Sequence, residues 1–500
     1  MAEWPQLPEP DVSAEHPISE HWVYTGAHRP PMPRVLTERM TQHWAPSEPP
    51  AGSHPAVERF AARRARLAAA FPNQTLVIPS GTYKVRSNDT DYRFRTSVDF
   101  YYLTGCQDPD VVLVINPTAG GHRATLYLSA RRDQKTHEFY TDARYGELWV
   151  GARRGLDESR VYFAIDTAPI EQLAADLADL ASTDILVSRG IDATVDATVD
   201  ALVAPHGSER RIGETLSNHR IIKDAYELDQ LQRAVDFTIK GFEDVVRALP
   251  TARQRGERVI EGVFHLRARV EGNDVGYNTI AASGSNATIL HWMENNGPVR
   301  DGDLLLLDAG VEVNELYTAD VTRTMPVNGH FSPAQRRVYE IVLRAADAAI
   351  AQLRPGIPFI TTYETATRVL AEGLIELGII ADDLETVVRK DLQLFRRYTL
   401  HGTSHMLGLD VHDCTLSRDA HRTGPLAAGH VLTVEPGLYF QPNDLTVPEE
   451  YRGIGVRIED DIMITDDGAV NLSAALPRHP DEIEAWMAHL WASGAGDLSR

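Results

Sequence analysis

The sequence predicts a mixed α/β (α+β) protein of two domains, and three observations carry that expectation. Five hundred residues, 43% of them hydrophobic, exceed what one core usually organises and supply enough apolar mass for two. In the first half, short apolar runs alternate with helical stretches. In the second half, long segments with apolar residues at helical spacing are interleaved with strand-like runs.

Residues 1–55 are rich in Pro, Glu, Ser and His and end on the linker-like "WAPSEPPAGSHP", so they read as an extension or arm. An amino-terminal α/β domain is expected over 56–212. It opens on the helical "VERFAARRARLAAAF" and continues through the strand-like "TLVIP", "VVLVINP", "ATLYLSA" and "DILVSRG", with "APIEQLAADLADLA" as a helix between them. Its aromatic stretches "DFYYL" and "ELWVG" read as core and interface residues. The second domain, 213–470, opens on the amphipathic "RIIKDAYELDQLQRAVDFTIKGFEDVVRAL". Its next long helix starts at "SPAQRRVYEIVLRAADAAIAQL", where Ser332 suits the N-cap, Pro333 the first helical position and Gln335 the capping box. "DLLLLDAG", "HVLTVEP" and "GVRIEDDIMIT" read as strands, and 471–500 as a carboxy-terminal tail.

Charge and composition exclude several functions. Forty-nine Lys and Arg against 71 Asp and Glu leave a formal charge of −22, which repels nucleic acid and anionic membrane surfaces. Two cysteines, Cys106 and Cys414, offer no disulfide framework and fit a reducing compartment or indifference to one. The first residues lack a basic segment followed by an apolar one, and no apolar run is long enough to span a bilayer, so a cytoplasmic protein is expected. There is no short internal repeat, low-complexity tract or glycine-rich phosphate loop.

The chemistry concentrates in the second domain. Asp308 ends a four-leucine run, and Asp320 follows just before the β-prone "VTRT", so a hairpin would bring both carboxylates to one end of a sheet. Glu435 lies between a buried-strand pattern and a Pro-Gly turn. In "GVRIEDDIMIT" the two-residue period puts Val456, Ile458, Ile462 and Ile464 on one face and Arg457, Glu459 and Asp461 on the other. Carboxylates among core residues are costly to bury without a cation or donor. Four such acids and one imidazole make five candidate ligands, a donor set that favours Mn(II), with Co, Fe or Zn as alternatives. "HGTSHMLGLDVHD" supplies His401, His405 and His412, and spacing alone leaves open which of them ligates or whether any does. It is not the helical HExxH pattern, because Gly402 stands where that motif has its Glu.

Taken in order, "YNTIAASGSNATILH", "DAG…TADVTRTMPVNGHF", "HGTSHMLGLDVHD", "VLTVEPGLYF" and "GVRIEDD" resemble the pita-bread metallopeptidases of family M24, and within them the Xaa-Pro aminopeptidases, also called aminopeptidase P. "SVDFYYLTGC" and "ELWVGARRGL" resemble that family's amino-terminal domain, and the resemblance spans roughly 90–465. It implies a pita-bread catalytic domain and two divalent metal ions held by Asp308, Asp320, His405, Glu435 and Glu459, with Asp320 and Glu459 serving both. It also implies a water or hydroxide between the ions with Glu435 as its proton acceptor, and His291 and His412 acting at the scissile bond. Tyr277, His401, Tyr439 and Arg457 are implied substrate-pocket residues. The expected substrates are peptides with a penultimate proline, and the expected state is a homo-oligomer, dimer or tetramer, in which Trp149 lines a neighbouring subunit's pocket. The interval from Asp308 to Asp320 is one residue longer than usual in the family, and the hairpin tip "VNEL" is expected to absorb it. Alternatives with the same fold are a prolidase restricted to Xaa-Pro dipeptides, a metal-free peptide-binding protein and a creatinase-like hydrolase. The complete ligand set disfavours the last two.

Overall fold

The computed structural model describes residues 22–23, 32–45, 52–204, 207, 210–417 and 423–494. Most of the expected arm, and residues 495–500 of the expected tail, lie outside the described residues. The chain divides into two compact units between Thr215 and Leu216. No described helix is long and apolar enough to cross a membrane.

In the first unit, helix α1 (Val57–Ala70) precedes a five-stranded sheet of β1 (Gln74–Pro79), β2 (Val112–Thr118), β3 (Gly121–Leu128), β4 (Asp166–Pro169) and β5 (Asp184–Val187). The spatial order is β4-β3-β2-β1-β5, with the β1–β5 and β3–β4 pairs parallel and the others antiparallel. Leu76, Val77 and Ile78 are all buried because both faces of β1 are covered, which is why this run shows no alternation. The "DFYYL" residues Phe100, Tyr101, Tyr102 and Leu103 are core on the helix Val98–Thr104. Gly105 ends that helix at φ 69°, where a Cβ would stand 2.3 Å from the Phe60 ring. Arg64, buried on α1, donates to Leu103 O at 2.8 Å and so satisfies an orphan helix carbonyl. "ELWVG" departs from the core reading: Leu148, Trp149 and Val150 on the one-turn helix Glu147–Val150 are 54, 42 and 47% exposed.

The second unit contains two helix pairs, α2 (Ala225–Arg255) with α3 (Arg258–Glu271) and α4 (Pro333–Ile350) with α5 (Thr361–Glu376), packed into one core with the sheets. Asp224 caps α2 and shares a capping box with Glu227. Ser332 caps α4 as expected, its hydroxyl accepting from Gln335 N at 3.3 Å while Gln335 Oε1 accepts from Ser332 N at 2.9 Å.

One sheet orders β6 (Ile280–Ser283), β7 (Leu304–Ala309) and β8 (Val321–Pro326) side by side, all antiparallel. β7 is central and wholly buried, so its leucines serve both faces. Asp308 pairs with Thr322 and Ala309 with Val321 across β7 and β8. The intervening excursion turns at 313–316, where Leu316 takes φ 64° and its N donates to Val313 O at 2.8 Å.

The carboxy-terminal half has β9 (Val431–Val434), β12 (Asp460–Ile464) and β13 (Ala469–Asn471) in one sheet, and β10 (Gly437–Tyr439) with β11 (Gly455–Arg457) in a ribbon. "GVRIEDDIMIT" is therefore two strands, and the break at 458–459 sends Arg457 to one sheet and Asp461 to another. Both of its faces are buried. Asp460, on the face read as apolar, is tolerated there because Arg323 donates to it at 2.7 Å and Ser473 at 2.6 Å.

The tail reading also needs correction. Helix α6 (Pro480–Ala492) buries Ile483, Met487 and Leu490 in the core of this unit, and Trp491 Nε1 donates to Val246 O at 2.7 Å.

Candidate metal centre

Strand register brings the acids together. Asp308 is the penultimate residue of β7 and Asp320 precedes β8, so the hairpin delivers both to the same end of the sheet. Between them lies the Tyr277 hydroxyl, 2.6 Å from Asp308 Oδ1 and also against Asp320 Oδ1. A phenol has one proton to donate, so the two carboxylates it touches are not both satisfied by it.

Residues 403–405 run beside β9: Thr433 N donates to His405 O at 2.9 Å and Glu435 N to Thr403 O at 2.8 Å. This pairing sets His405 against Glu435. His405 Nδ1 lies 3.2 Å from Met406 O, a contact in which Nδ1 is the donor, so Nε2 is the ring nitrogen that faces the acids. Nε2 is 3.2 Å from Asp320 Oδ2 and 3.5 Å from Glu435 Oε1. Glu459, at the break between β11 and β12, is held by Thr322: its N donates to Thr322 O at 3.0 Å and its Oε2 accepts the Thr322 hydroxyl at 2.7 Å.

One ligand atom from each of Asp320, His405 and Glu459 lies within 4.8 Å of the others. Glu435 adjoins this trio through His405, whereas Asp308 turns its Oδ2 to the guanidinium of Arg457. Arg457 also donates to Tyr439 Oη at 3.0 Å, and His401 Nε2 lies 2.8 Å from the same oxygen. His401 Nδ1 is 3.4 Å from Glu435 Oε2. The His412 ring stacks edge-on to His405 with centroids 4.3 Å apart. A cavity of about 660 Å³ is lined by all five acids and imidazoles of the expected ligand set, and by Tyr277, His291, His401, His412 and Arg457. Tyr439 stands behind this lining and acts on it through His401 and Arg457.

The electrostatics are those of a cation site. Burial and the neighbouring Asp320, Glu435 and Asp308 push Glu459 well above the usual carboxylate range, and burial with the Asp308 charge raises Asp320 to about 6. Burial alone would depress His405, yet Asp320 and Glu435 raise it to about 9. The negative field that holds a proton there would hold a divalent cation. Glu435 sits below its ordinary value because His401, His405 and Arg457 outweigh its burial. His412 is depressed by burial and by His405, which keeps it neutral. Oxygen donors in excess of the cations present, one neutral-capable imidazole and a cavity at their focus fit hard divalent ions.

Two residues at this site carried no assignment from sequence. Thr322 touches both Glu459 and Arg457, and the alternation Asp320, Thr322, Thr324 on the inward face of β8 was its available signal. Asp461 is fully buried and accepts Asp320 N through Oδ2 at 3.0 Å, while its Oδ1 has no partner. Burial and the adjacent Asp320 push it well above the usual range.

The fold and this cluster define a metal-dependent hydrolase with a separate amino-terminal α/β unit. The profile described as Metallopeptidase family M24 matches residues 229–466, and that described as Aminopeptidase P, N-terminal domain, matches 60–186. Xaa-Pro aminopeptidase 1 of Streptomyces coelicolor is 50% identical over 97% of this chain and 98% of its own length. The Xaa-Pro aminopeptidase of Escherichia coli is 35% identical over 86% and 97%. The solved structure of Escherichia coli aminopeptidase P with the inhibitor Pro-Leu superposes with a TM-score of 0.78 at 33% identity, covering 88% of this chain and 99% of that one. The chain belongs to metallopeptidase family M24, in its aminopeptidase P branch, and its second unit has the pita-bread fold.

Proposed function

We infer that this chain is a metal-dependent Xaa-Pro aminopeptidase, which removes the amino-terminal residue that precedes a proline. The observation that carries the reading is the convergence of Asp320, His405 and Glu459 within 4.8 Å in a chain of this family. The proposed centre is dinuclear and takes Mn(II), with Asp308, Asp320, His405, Glu435 and Glu459 as ligands. The preponderance of hard oxygen donors supports that metal.

When bound, divalent ions supply the Lewis acidity that acidifies a water and polarises the scissile carbonyl. Glu435, already ionised beside His401 and Arg457, accepts the proton of the attacking water. Neutral His412 offers an N–H to the oxygen on which charge develops, and His291 on the exposed side of the cavity acts at the same bond. The prolyl nitrogen is a tertiary amide without N–H, so it cannot orient by donating and must receive a proton on leaving. The proton taken by Glu435 meets that need. Tyr277, His401, Tyr439 and Arg457 shape the pocket. The exposed Leu148, Trp149 and Val150 support a homo-oligomer, dimer or tetramer, in which Trp149 meets a neighbouring subunit. Two buried free cysteines agree with a cytoplasmic location.

The test is a reconstitution. Protein stripped with chelator and resupplied with Mn(II) is given an Xaa-Pro dipeptide and an Xaa-Pro-Xaa tripeptide. Release of the first residue from the tripeptide, lost on stripping and regained with metal, is expected. Cleavage of the dipeptide alone would make the protein a prolidase, and cleavage of neither would remove the enzymatic reading.

A further inference from the structure

Glu257 stands outside every motif that marks the site, yet its carboxylate is fully buried. It immediately precedes α3 and faces segment 283–297, which carries His291. Its Oε1 accepts from Ser283 N at 2.7 Å and from Asn286 Nδ2 at 2.9 Å. Its Oε2 accepts from Trp292 Nε1 at 2.8 Å and from Gly297 N at 2.6 Å. The main chain closes the same contact, Glu257 N donating to Gly297 O at 3.0 Å. Four donors match the lone-pair capacity of one carboxylate, and none of them is a charged group. All four contacts are N–H groups donating to the carboxylate oxygens, which fixes the side chain at the start of α3.

These donors lie on both sides of His291. Ser283 and Asn286 precede it, while Trp292, its chain neighbour, and Gly297 follow. The returning limb is pinned again by the buried Asn295, whose Oδ1 accepts from Ala281 N and whose Nδ2 donates to Thr279 O, both at 2.9 Å. Between the anchors, Leu290, His291 and Met293 line the cavity while the Trp292 indole reaches back to Glu257. There is no slack around the carboxylate, since a Cβ on Gly297 would meet Asn286 Nδ2 at 2.3 Å and Glu257 Oε2 at 2.8 Å. A reacting group carried on irregular chain needs such an anchor, because a displacement of about 1 Å can lower a rate by about a hundredfold.

We propose that Glu257 is a positioning residue for His291, holding the segment 283–297 so that the imidazole meets the scissile bond. The proposal rests on the role given to His291 under Proposed function. The experiment uses the full-length Mn(II)-loaded protein and an Xaa-Pro-Xaa tripeptide. Glu257→Gln keeps the shape but turns one acceptor oxygen into an amide that opposes two N–H donors. Its kcat is expected to fall about tenfold, the effect of one misplaced hydrogen bond, with KM and metal content unchanged. In a His291→Ala background the same substitution should cost less than about a factor of two. An equal loss in both backgrounds, or no loss in the parent, overturns the proposal. Full activity of His291→Ala alone would instead overturn the reading of His291, and this proposal with it. Should Glu257→Gln fail to fold, Trp292→Phe removes a single donor and keeps the ring's bulk. Its kcat should fall about threefold, again only when His291 is present.

Discussion

Arg457 donates to the Oδ2 of Asp308 inside the cavity, a buried cation set directly against a carboxylate of the expected ligand set. Burial alone would lower the Arg457 pKa, but Tyr439, Asp308 and Glu459 raise it well above its ordinary value, so this side chain stays charged. A fixed positive charge here competes with divalent cations for Asp308 while holding Tyr439 and, through it, His401. Arg457→Met should therefore bind Mn(II) at lower free metal concentration and yet lose about 10- to 100-fold in kcat/KM, the range seen when outer partners of a metal site are removed. Metal titration followed by activity, and tripeptide kinetics, measure the two effects separately. Weaker metal binding together with unchanged kcat/KM would refute both halves.

Metal should also appear as stability. A ligand that binds only the folded state stabilises it by about 2.7 kcal/mol at a hundredfold excess over its Kd. Mn(II) should raise the Tm of the stripped protein, and Asp320→Ala and His405→Ala should abolish both that rise and the activity. If both variants keep wild-type metal content and activity, the ligand assignment is wrong.

How much of this was legible from sequence follows from how local each signal is. The helix at Ser332 was readable because capping is decided within four residues, and Asp308, Asp320 and Glu435 because a strand pattern and a turn signal adjoin each of them. The split of "GVRIEDDIMIT" into β11 and β12 was not, since an unbroken period of two contains no mark of which neighbour each half will pair with. Asp461 passed unassigned for the same reason: its contact is the main-chain N of Asp320, 141 residues away. Glu257 has no local signature at all, because its partners come from four places between Ser283 and Gly297. Helix α6 did have one, Pro480 at its start and Ile483, Met487 and Leu490 at helical spacing, hidden by the polar, alanine-rich sequence around it.

Asp413 predicts a pH effect on folding. It is buried, accepts from Arg220 Nε at 3.1 Å and lies 3.7 Å from Lys223 Nζ. Burial alone would raise its pKa, but Arg220 and Lys223 hold it below the ordinary aspartate value. A depressed carboxyl pKa contributes stability that is complete above the unfolded-state value, about 4, and is lost as pH falls through the folded one. Asp413→Asn should therefore be destabilised by about 3 kcal/mol at pH 7, the usual effect of removing the charge of one partner in a buried ion pair. Urea unfolding of both proteins from pH 7 downward should show the difference shrinking below pH of about 4. A difference independent of pH would mean that packing, not charge, is what the substitution removes. Gly408→Ala should mimic it, because a Cβ there would stand 2.2 Å from Asp413 Oδ2.

Helix α6 should behave as part of the catalytic unit's core. Met487 is wholly inaccessible, Ile483 and Leu490 nearly so, and they join a cluster that includes residues of α2 and α4. Met487→Ala leaves a cavity that α6 alone cannot close, since Trp491 is tied to Val246 O and Gly329 packs against the Trp491 ring. The expected cost is about 2 to 5 kcal/mol, read as a lowered urea midpoint with unchanged slope. Because α6 contributes no residue to the cavity lining, kcat and KM measured well below the transition should stay at wild-type values. Deletion after residue 479 should be worse than any single substitution, exposing the whole apolar face that α6 covers. Full stability of that truncated chain would mean that α6 is an appendage and not part of the core.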